Sequence, residues 1–156
     1  MADSNATYSQ IHIQLIFAVK FRDALIQNDW KEELYKYMTG IIQNNNHKLL
    51  SINGMPDHIH ILIGLRPKHA LSELVNQIKS NSSKWINDKR FLPVRFEWQK
   101  GYGAFSYGKS QIPVVINYIN NQEIHHQKKS FKQEYLDFLN KFEIEYNQEY
   151  VFNDLI

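Results

Sequence analysis

Apolar and polar residues alternate in several stretches of the chain, and this period of two is typical of β-strands. The clearest stretches are YSQIHIQLIFAVK at 8–20 and HIHILIGL at 58–65. LLSIN at 49–53 is followed by turn-forming GMPD at 54–57, so the pattern predicts a β-hairpin whose second strand is 58–65. VRFEWQKGYGAFSY at 94–107 is also predicted to be extended, and its glycines suggest a bend or bulge.

Four other stretches repeat their apolar residues every three or four positions, which predicts amphipathic α-helices. They cover residues 29–46, 71–88, 111–127 and 130–146. Pro113 falls in the first turn of the third helix, where its missing N–H removes no intrahelical hydrogen bond.

The order of these elements predicts an α+β fold. Up to residue 107 it is β-α-β-β-α-β, the ferredoxin-like pattern of an antiparallel sheet with both helices on one face. Two additional C-terminal helices follow. We therefore expect a single domain over 1–156, with a ferredoxin-like core at 8–107. The second face of the sheet is expected to stay open unless the later helices cover it.

The charge of the chain is uneven although its net charge is only +2. Residues 66–109 hold nine Lys or Arg and three acids, whereas 130–156 hold two Lys and six acids. A basic middle segment indicates a polyanionic partner, although an ordinary solvated surface gives the same count. The candidate phosphate contacts are Lys79, Lys84, Lys89, Arg90 and Arg95. The candidate stacking rings are Trp98, Tyr102 and Tyr107, with Trp85 assigned to the core by its helical spacing.

Several classes of protein are disfavoured by composition. The chain has no cysteine, which excludes disulfides and thiolate metal sites. Its apolar runs are shorter than a membrane helix requires, and its start has no signal-peptide pattern, so a cytoplasmic protein without a membrane partner is expected. GYGAFS at 101–106 lacks the lysine of a phosphate-binding loop, so no nucleotide cofactor is expected.

Two histidines open the strand at 58–65. Strand alternation places His58 and His60 together on the face opposite Ile59 and Ile61. Two positions along a strand span roughly 6.5–7 Å, so both imidazoles can converge on one divalent ion. The alternative is a pair of half-exposed histidines on a sheet surface.

A second group of polar residues lies on the predicted helix at 111–127. Tyr118, Gln122 and His125 follow one another at i, i+4 and i+7 beside the apolar stripe. A phenol and a carboxamide therefore project from one side of the helix. Taken alone, this pattern is also that of any amphipathic helix.

The motifs together resemble one known family. His58-Ile59-His60 is similar to the HUH motif, two histidines around a bulky apolar residue. GMPDHIHILIGL, WQKGYGAFSY at 98–107 and YINNQEIHH at 118–126 follow in the order found in the TnpA-type HUH single-tyrosine transposases of small bacterial insertion sequences, relatives of the REP-associated tyrosine transposases. The resemblance spans about residues 8–145.

The resemblance implies a set of roles. His58 and His60 would bind a divalent metal, Mg²⁺ or Mn²⁺, and Gln122 would be the third ligand through its side-chain oxygen. Tyr118 would be the nucleophile that forms a 5′-phosphotyrosine and leaves a 3′-OH. The substrate would be single-stranded DNA with hairpin ends, and the protein a homodimer whose tyrosine acts across the interface. It implies no catalytic role for His12, His125 or His126.

Three alternatives to an active transposase remain at this point. A domesticated relative would bind and nick repeated hairpins without mobilising DNA, using the same residues. A non-catalytic module would bind single-stranded nucleic acid on the open sheet, a mode that needs aromatic residues where this strand has His58 and His60. A metal-dependent hydrolase would use water as the nucleophile and form no covalent tyrosine adduct.

Overall fold

The structure is a computed structural model, and it describes residues 6–147 of the chain. The strands are β1 His12–Ala18, β2 Lys48–Met55, β3 His58–Gly64 and β4 Gly103–Tyr107. The helices are α1 Lys31–Asn44, α2 Leu71–Lys89, α3 Ile112–Asn120, α4 Gln122–His126 and α5 Phe131–Lys141. No helix within 6–147 is both long and apolar enough to cross a membrane. Residues 1–5 and 148–156 of the predicted domain lie outside the described residues.

The four strands form one sheet in the order β2-β3-β1-β4, and every neighbouring pair is antiparallel. This arrangement confirms the ferredoxin-like α+β prediction. The hairpin is also confirmed, because Met55 of β2 pairs with His58 of β3. Leu15, Ile59 and Ile61 lie on the face that packs against buried apolar residues of α1 and α2.

The second face of the sheet is not open, and the expectation that His58 and His60 lie on an open face is wrong. Apolar residues of α3 and α5 pack on this face and form a second core with the sheet. Its buried members include Leu62, Phe105, Val115, Ile119 and Leu139. The physical reason is that both C-terminal helices carry apolar stripes, and burying these stripes is favourable.

Several predicted elements differ from the structure in their bounds. The strand predicted at 8–20 is β1 at His12–Ala18, and the helix predicted at 130–146 ends at Lys141.

Within the predicted extended segment 94–107, the continuous strand is Gly103–Tyr107, and Trp98 forms an isolated antiparallel bridge with Val19. The chain bends between them at Gly101 (φ +85°), as its glycines suggested. Further upstream, the Asn87 side chain pairs with both the N–H and the C=O of Phe96 at 2.8 and 3.0 Å. These bonds satisfy backbone groups that a strand partner would otherwise satisfy. The single helix predicted at 111–127 is two helices, α3 and α4, which meet at Asn121 (φ −106°, ψ 28°).

Candidate metal and tyrosine site

His58 and His60 are completely buried beneath α4 and α5. His58 Nδ1 lies 2.7 Å from Asp57 Oδ1, and His60 Nδ1 lies 2.7 Å from Gln14 Oε1. Gln14 is held in turn by donating from Nε2 to the Tyr107 hydroxyl at 2.8 Å. Because both oxygens accept hydrogen bonds, each Nδ1 carries its hydrogen outward and each Nε2 faces the interior of the site.

Glu134 of α5 lies at the centre of this interior, with 2% of its surface exposed. Its Oε1 is 3.1 Å from His60 Nε2, 3.1 Å from His126 Nε2 and 3.4 Å from His58 Nε2. The candidate ligand atoms of His58, His60 and Glu134 all lie within 4.8 Å of one another. Two imidazoles and a carboxylate at this spacing can bind one divalent ion.

Sequence analysis missed Glu134. The sequence does mark this residue, because Glu134 is an acid on the apolar stripe of α5. It lies three residues after Phe131 and four before Phe138. An acid at such a position is buried only with a partner, so the stripe itself indicated a charged or hydrogen-bonded neighbour.

Gln122 and His126 of α4 complete the group around the carboxylate. Gln122 Oε1 is 3.1 Å from His58 Nε2 and 3.2 Å from His126 Nε2. Gln122 Nε2 donates to Glu134 Oε2 at 3.1 Å. The structure therefore brings Gln122 to the histidine pair, and it adds His126, to which the sequence assigned no role.

Tyr118 reaches the same group from α3. Its hydroxyl donates a hydrogen bond to Glu134 Oε2 of the same chain. Its ring stacks on His125 at a centroid distance of 4.2 Å and lies 6.1 Å from the His60 ring. Burial, together with the neighbouring Glu134 charge, raises the pKa of Tyr118 well above its ordinary value.

The electrostatics of the cluster centre on one carboxylate. Burial alone would raise the pKa of Glu134, but hydrogen bonds from His126, His58 and His60 hold it well below its usual range. The opposite holds for His58. Burial acts to lower its pKa, but hydrogen bonds to Asp57 and Glu134 raise this pKa to about 9. The cluster is thus a buried anion that accepts hydrogen bonds from imidazoles, and a bound cation would displace these protons.

A cleft of about 220 Å³ connects this cluster with solvent. Tyr118 and Glu134 line it on the inside, while Lys129 and Lys141 also contribute to its walls. Asp137, which pairs with Lys129, lines the cleft as well. The cleft therefore leads to the tyrosine between α3 and α5.

The five basic candidates are not equivalent in the structure. Lys79 Nζ donates to the carbonyl oxygens of Gln99 and Gly101 at 2.7 and 2.8 Å, and burial lowers its pKa to about 8. Lys84 pairs with Asp88 at 2.7 Å on the surface of α2. Lys79, Lys84, Arg95 and Lys100 line one groove of about 590 Å³. Lys89 and Arg90 are exposed at the end of α2.

Of the aromatic candidates, only Tyr102 keeps a substantially exposed ring, at 37%. Trp98 is buried and donates to Ser82 Oγ at 2.9 Å. Tyr107 is buried beside Gln14. Trp85 stacks on Tyr37 at 5.0 Å and packs against the first core, in agreement with its helical spacing.

Comparisons with known proteins identify the family of the chain. Residues 7–122 match the family of IS200-like transposases, and this match covers well over half of the chain. The chain belongs to the IS200-like transposase family, as its motifs predicted.

Two curated relatives are similar to this chain. It is 27% identical over 75 residues to the ISDra2 transposase TnpA of Deinococcus radiodurans, a match that covers 48% of this chain and 54% of that protein. The chain thus spans about half the length of that relative. It is 24% identical over 114 residues to the transposase for insertion sequence element IS200 of Salmonella typhimurium, covering 69% and 74% of the two chains.

Two solved structures share the fold. One is a crystal structure from Deinococcus radiodurans R1 described as that of a candidate transposase, with a TM-score of 0.62, 22% identity, and coverage of 78% of this chain and 98% of the other. The second is a REP-associated tyrosine transposase bound to a REP hairpin, with a TM-score of 0.60, 13% identity, and coverage of 81% and 74%.

Proposed function

We propose that this protein is a transposase that cleaves and rejoins single-stranded DNA through a 5′-phosphotyrosine at Tyr118, with a divalent metal held by His58 and His60. The observation that carries the proposal is the convergence of a histidine pair, a buried carboxylate and a tyrosine hydroxyl at one point. Family membership is consistent with this chemistry.

The residues present fit a divalent ion. The Nε2 atoms of both histidines face Glu134, and their Nδ1 atoms are occupied by Asp57 and Gln14. His58, His60 and Glu134 would hold the ion, with the Gln122 oxygen as a further ligand. Mixed nitrogen and oxygen donors suit Mn²⁺ and accept Mg²⁺. When bound, the ion would supply Lewis-acid polarisation of a nonbridging phosphate oxygen.

Tyr118 is the proposed nucleophile. In the reaction, its Oη forms a bond to phosphorus, the bond from phosphorus to the 3′ oxygen breaks, and that oxygen leaves as a 3′-OH. Glu134 Oε2 accepts the hydrogen bond from this hydroxyl, so it orients the phenol in the site. Over the whole step, the phenol loses one proton and the leaving 3′ oxygen gains one. The covalent link conserves a phosphodiester, so attack by a new 3′-OH can rejoin DNA without a nucleotide cofactor.

The proposed substrate is single-stranded DNA that carries hairpins at the element ends. A basic groove that follows the backbone is what such a strand requires. The groove beside α2 supports this assignment, because its four basic residues outnumber its two acids. The basic residues are Lys79, Lys84, Arg95 and Lys100, and the acids are Asp88 and Glu97. Lys89 and Arg90 extend the positive charge at the end of α2. One structural neighbour is a transposase bound to a REP hairpin, which supports hairpin recognition.

We further propose a homodimer whose tyrosine acts across the interface, as the resemblance implies. Tyr118 contacts Glu134 of its own chain here, so a shared site requires two copies to exchange α3. Mixing His58→Ala with Tyr118→Phe tests this arrangement. Restored cleavage supports a shared site. Failure of rescue after verified subunit exchange would mean that the tyrosine acts within its own chain.

The experiment that tests the reaction class uses single-stranded DNA from the flanks of the coding sequence, with Mg²⁺ or Mn²⁺. The DNA is labelled at its 3′ end, because a 5′-phosphotyrosine joins the protein to the fragment that carries this end. Samples are separated by denaturing electrophoresis. A labelled protein–DNA band supports a tyrosine transposase. Cleaved DNA without such a band would instead indicate a hydrolase that uses water. Blunt duplex DNA is the matched control and should remain uncut.

A further inference from the structure

A cavity of about 280 Å³ lies beside the metal cluster and includes none of its candidate ligands. Phe131, the first residue of α5, lines this cavity and also stacks on the His58 ring at a centroid distance of 4.1 Å. Ala18, which pairs with His58 across the sheet, forms another part of the wall. A single aromatic ring therefore connects the cavity with a metal-binding histidine.

The walls of this cavity are rich in tyrosine. Tyr102 comes from the segment before β4, Tyr135 from α5 and Tyr146 from the segment after α5. Tyr102 and Tyr146 each expose 37% of their surface. Exposed rings next to a cavity offer stacking faces, and nucleobases stack on such rings with little dependence on sequence.

The segment that carries Tyr102 is held in a defined shape. Lys79 Nζ donates to the carbonyl oxygens of Gln99 and Gly101, on either side of Lys100. Gly101 has φ +85°, a conformation that favours glycine. A Cβ added to Gly103 would lie 2.9 Å from Tyr135 Cε1, so this ring approaches the strand only because residue 103 is glycine. The cavity wall is thus organised before any ligand arrives.

The positive charge of the neighbouring groove, and its connection to this cavity, indicate which ligand the cavity binds. Gln99 and Lys100 line both this cavity and the basic groove beside α2. A polyanionic strand in that groove therefore passes directly to the tyrosine walls. We propose that the cavity formed by Tyr102, Tyr135 and Tyr146, the tyrosine pocket, binds an unpaired base of the DNA strand that leads to the metal cluster. This inference rests on the proposed function.

The test places 2-aminopurine at successive positions of a single-stranded substrate and measures its fluorescence on binding to the Tyr118→Phe protein, which cannot form the adduct. Stacking quenches 2-aminopurine, so quenching is expected at one position near the cleaved phosphate. Tyr102→Ala should abolish this quenching and weaken binding about 5- to 160-fold, the range for one base–aromatic stack. Tyr102→Phe should retain both the quenching and the binding affinity.

Two controls make the result specific. Tyr8→Ala removes a tyrosine that is 92% exposed and does not line the pocket, and it should change neither signal. An abasic nucleotide at the quenched position should make wild-type and Tyr102→Ala proteins bind equally, because the stacking partner is already absent.

The possible results distinguish a failure of the tyrosine pocket from a failure of the proposed reaction. If wild-type protein forms the covalent adduct but no position is quenched, or Tyr102→Ala weakens abasic and intact DNA equally, the tyrosine pocket is refuted and the proposed reaction stands. If the protein neither binds the strand nor forms an adduct, both are refuted.

Discussion

Replacing Glu134 by glutamine tests whether the buried carboxylate is part of a metal site. Glu134→Gln keeps the shape of the side chain but removes the negative charge that three imidazole nitrogens approach. We expect wild-type protein to be stabilised by Mn²⁺ and the variant to lose most of that stabilisation. Thermal unfolding with and without Mn²⁺ measures both effects.

The magnitude follows from linkage between binding and folding. A ligand at 100 times its Kd stabilises the native state by about 2.7 kcal/mol. For a chain of this size, that corresponds to a rise in Tm of roughly 5–10 °C. Loss of a partner that merely orients a ligand weakens metal affinity by up to about 100-fold, and loss of a charged ligand should reach at least that value. The same Mn²⁺ concentration then stabilises the variant by only about 0.4 kcal/mol.

The matched control is Glu123→Gln, which removes a charge from an α4 side chain that is 73% exposed. It should keep the full Mn²⁺ effect. A Glu134→Gln protein that folds and shows the wild-type rise in Tm would refute the reasoning, because the ion would then be held without the carboxylate.

Three further changes have outcomes that the structure determines. Gly103→Ala should lower the free energy of unfolding by about 1–3 kcal/mol, since its Cβ would lie 2.8 Å from Phe105 and 2.9 Å from Tyr135; unaltered denaturant unfolding would contradict this. Gly40→Ala should raise the free energy of unfolding by about 0.5–1 kcal/mol, because an added Cβ meets nothing within 4 Å in α1. A lower free energy of unfolding in this variant would contradict the prediction. Burial, with the charges of His69 and Arg66, lowers the pKa of His47, so its contribution is present above about pH 6.5 and lost as pH falls below that value. The free energy of unfolding, measured with denaturant, should therefore fall more steeply between about pH 6.5 and pH 5 in wild type than in His47→Gln. An equal fall in both proteins would contradict this role of His47.

The sheet and its hairpin were predictable because local pattern determined them. The alternation in HIHILIGL predicted a strand at 58–65, and the structure has β3 at His58–Gly64. The turn-forming residues before it predicted the hairpin with β2, which the pairing confirms. These features depend on neighbours along the chain, so a single sequence contains them.

The closure of the second face was not predictable in the same way. The apolar stripe of α5 indicates that the helix packs on something, but it does not say on which surface. The role of Glu134 depends on this choice, because its partners His58 and His60 are 74 residues or more away in sequence. The break at Asn121 likewise has no proline or glycine to mark it.

The sequence predicted that the two histidines share one face of the sheet, but it did not predict the residues around them. Sequence alternation placed His58 and His60 on one face, and the structure joins them through Glu134. The outer hydrogen bonds that His58 and His60 donate to Asp57 and Gln14 differ in how far the sequence indicates them. Asp57 is adjacent to His58 in sequence, whereas Gln14 is brought to His60 by the pairing of β1 with β3.

The most direct test of the account is the identity of the residue that becomes linked to DNA. The protein is incubated with single-stranded flanking DNA and Mn²⁺, the adduct is digested with nuclease and protease, and the nucleotide-bearing peptide is sequenced by mass spectrometry. We predict that the nucleotide is attached to Tyr118 and that Tyr118→Phe yields no adduct while still binding the DNA. A nucleotide on any other residue, or cleavage with no modified peptide, would contradict the account.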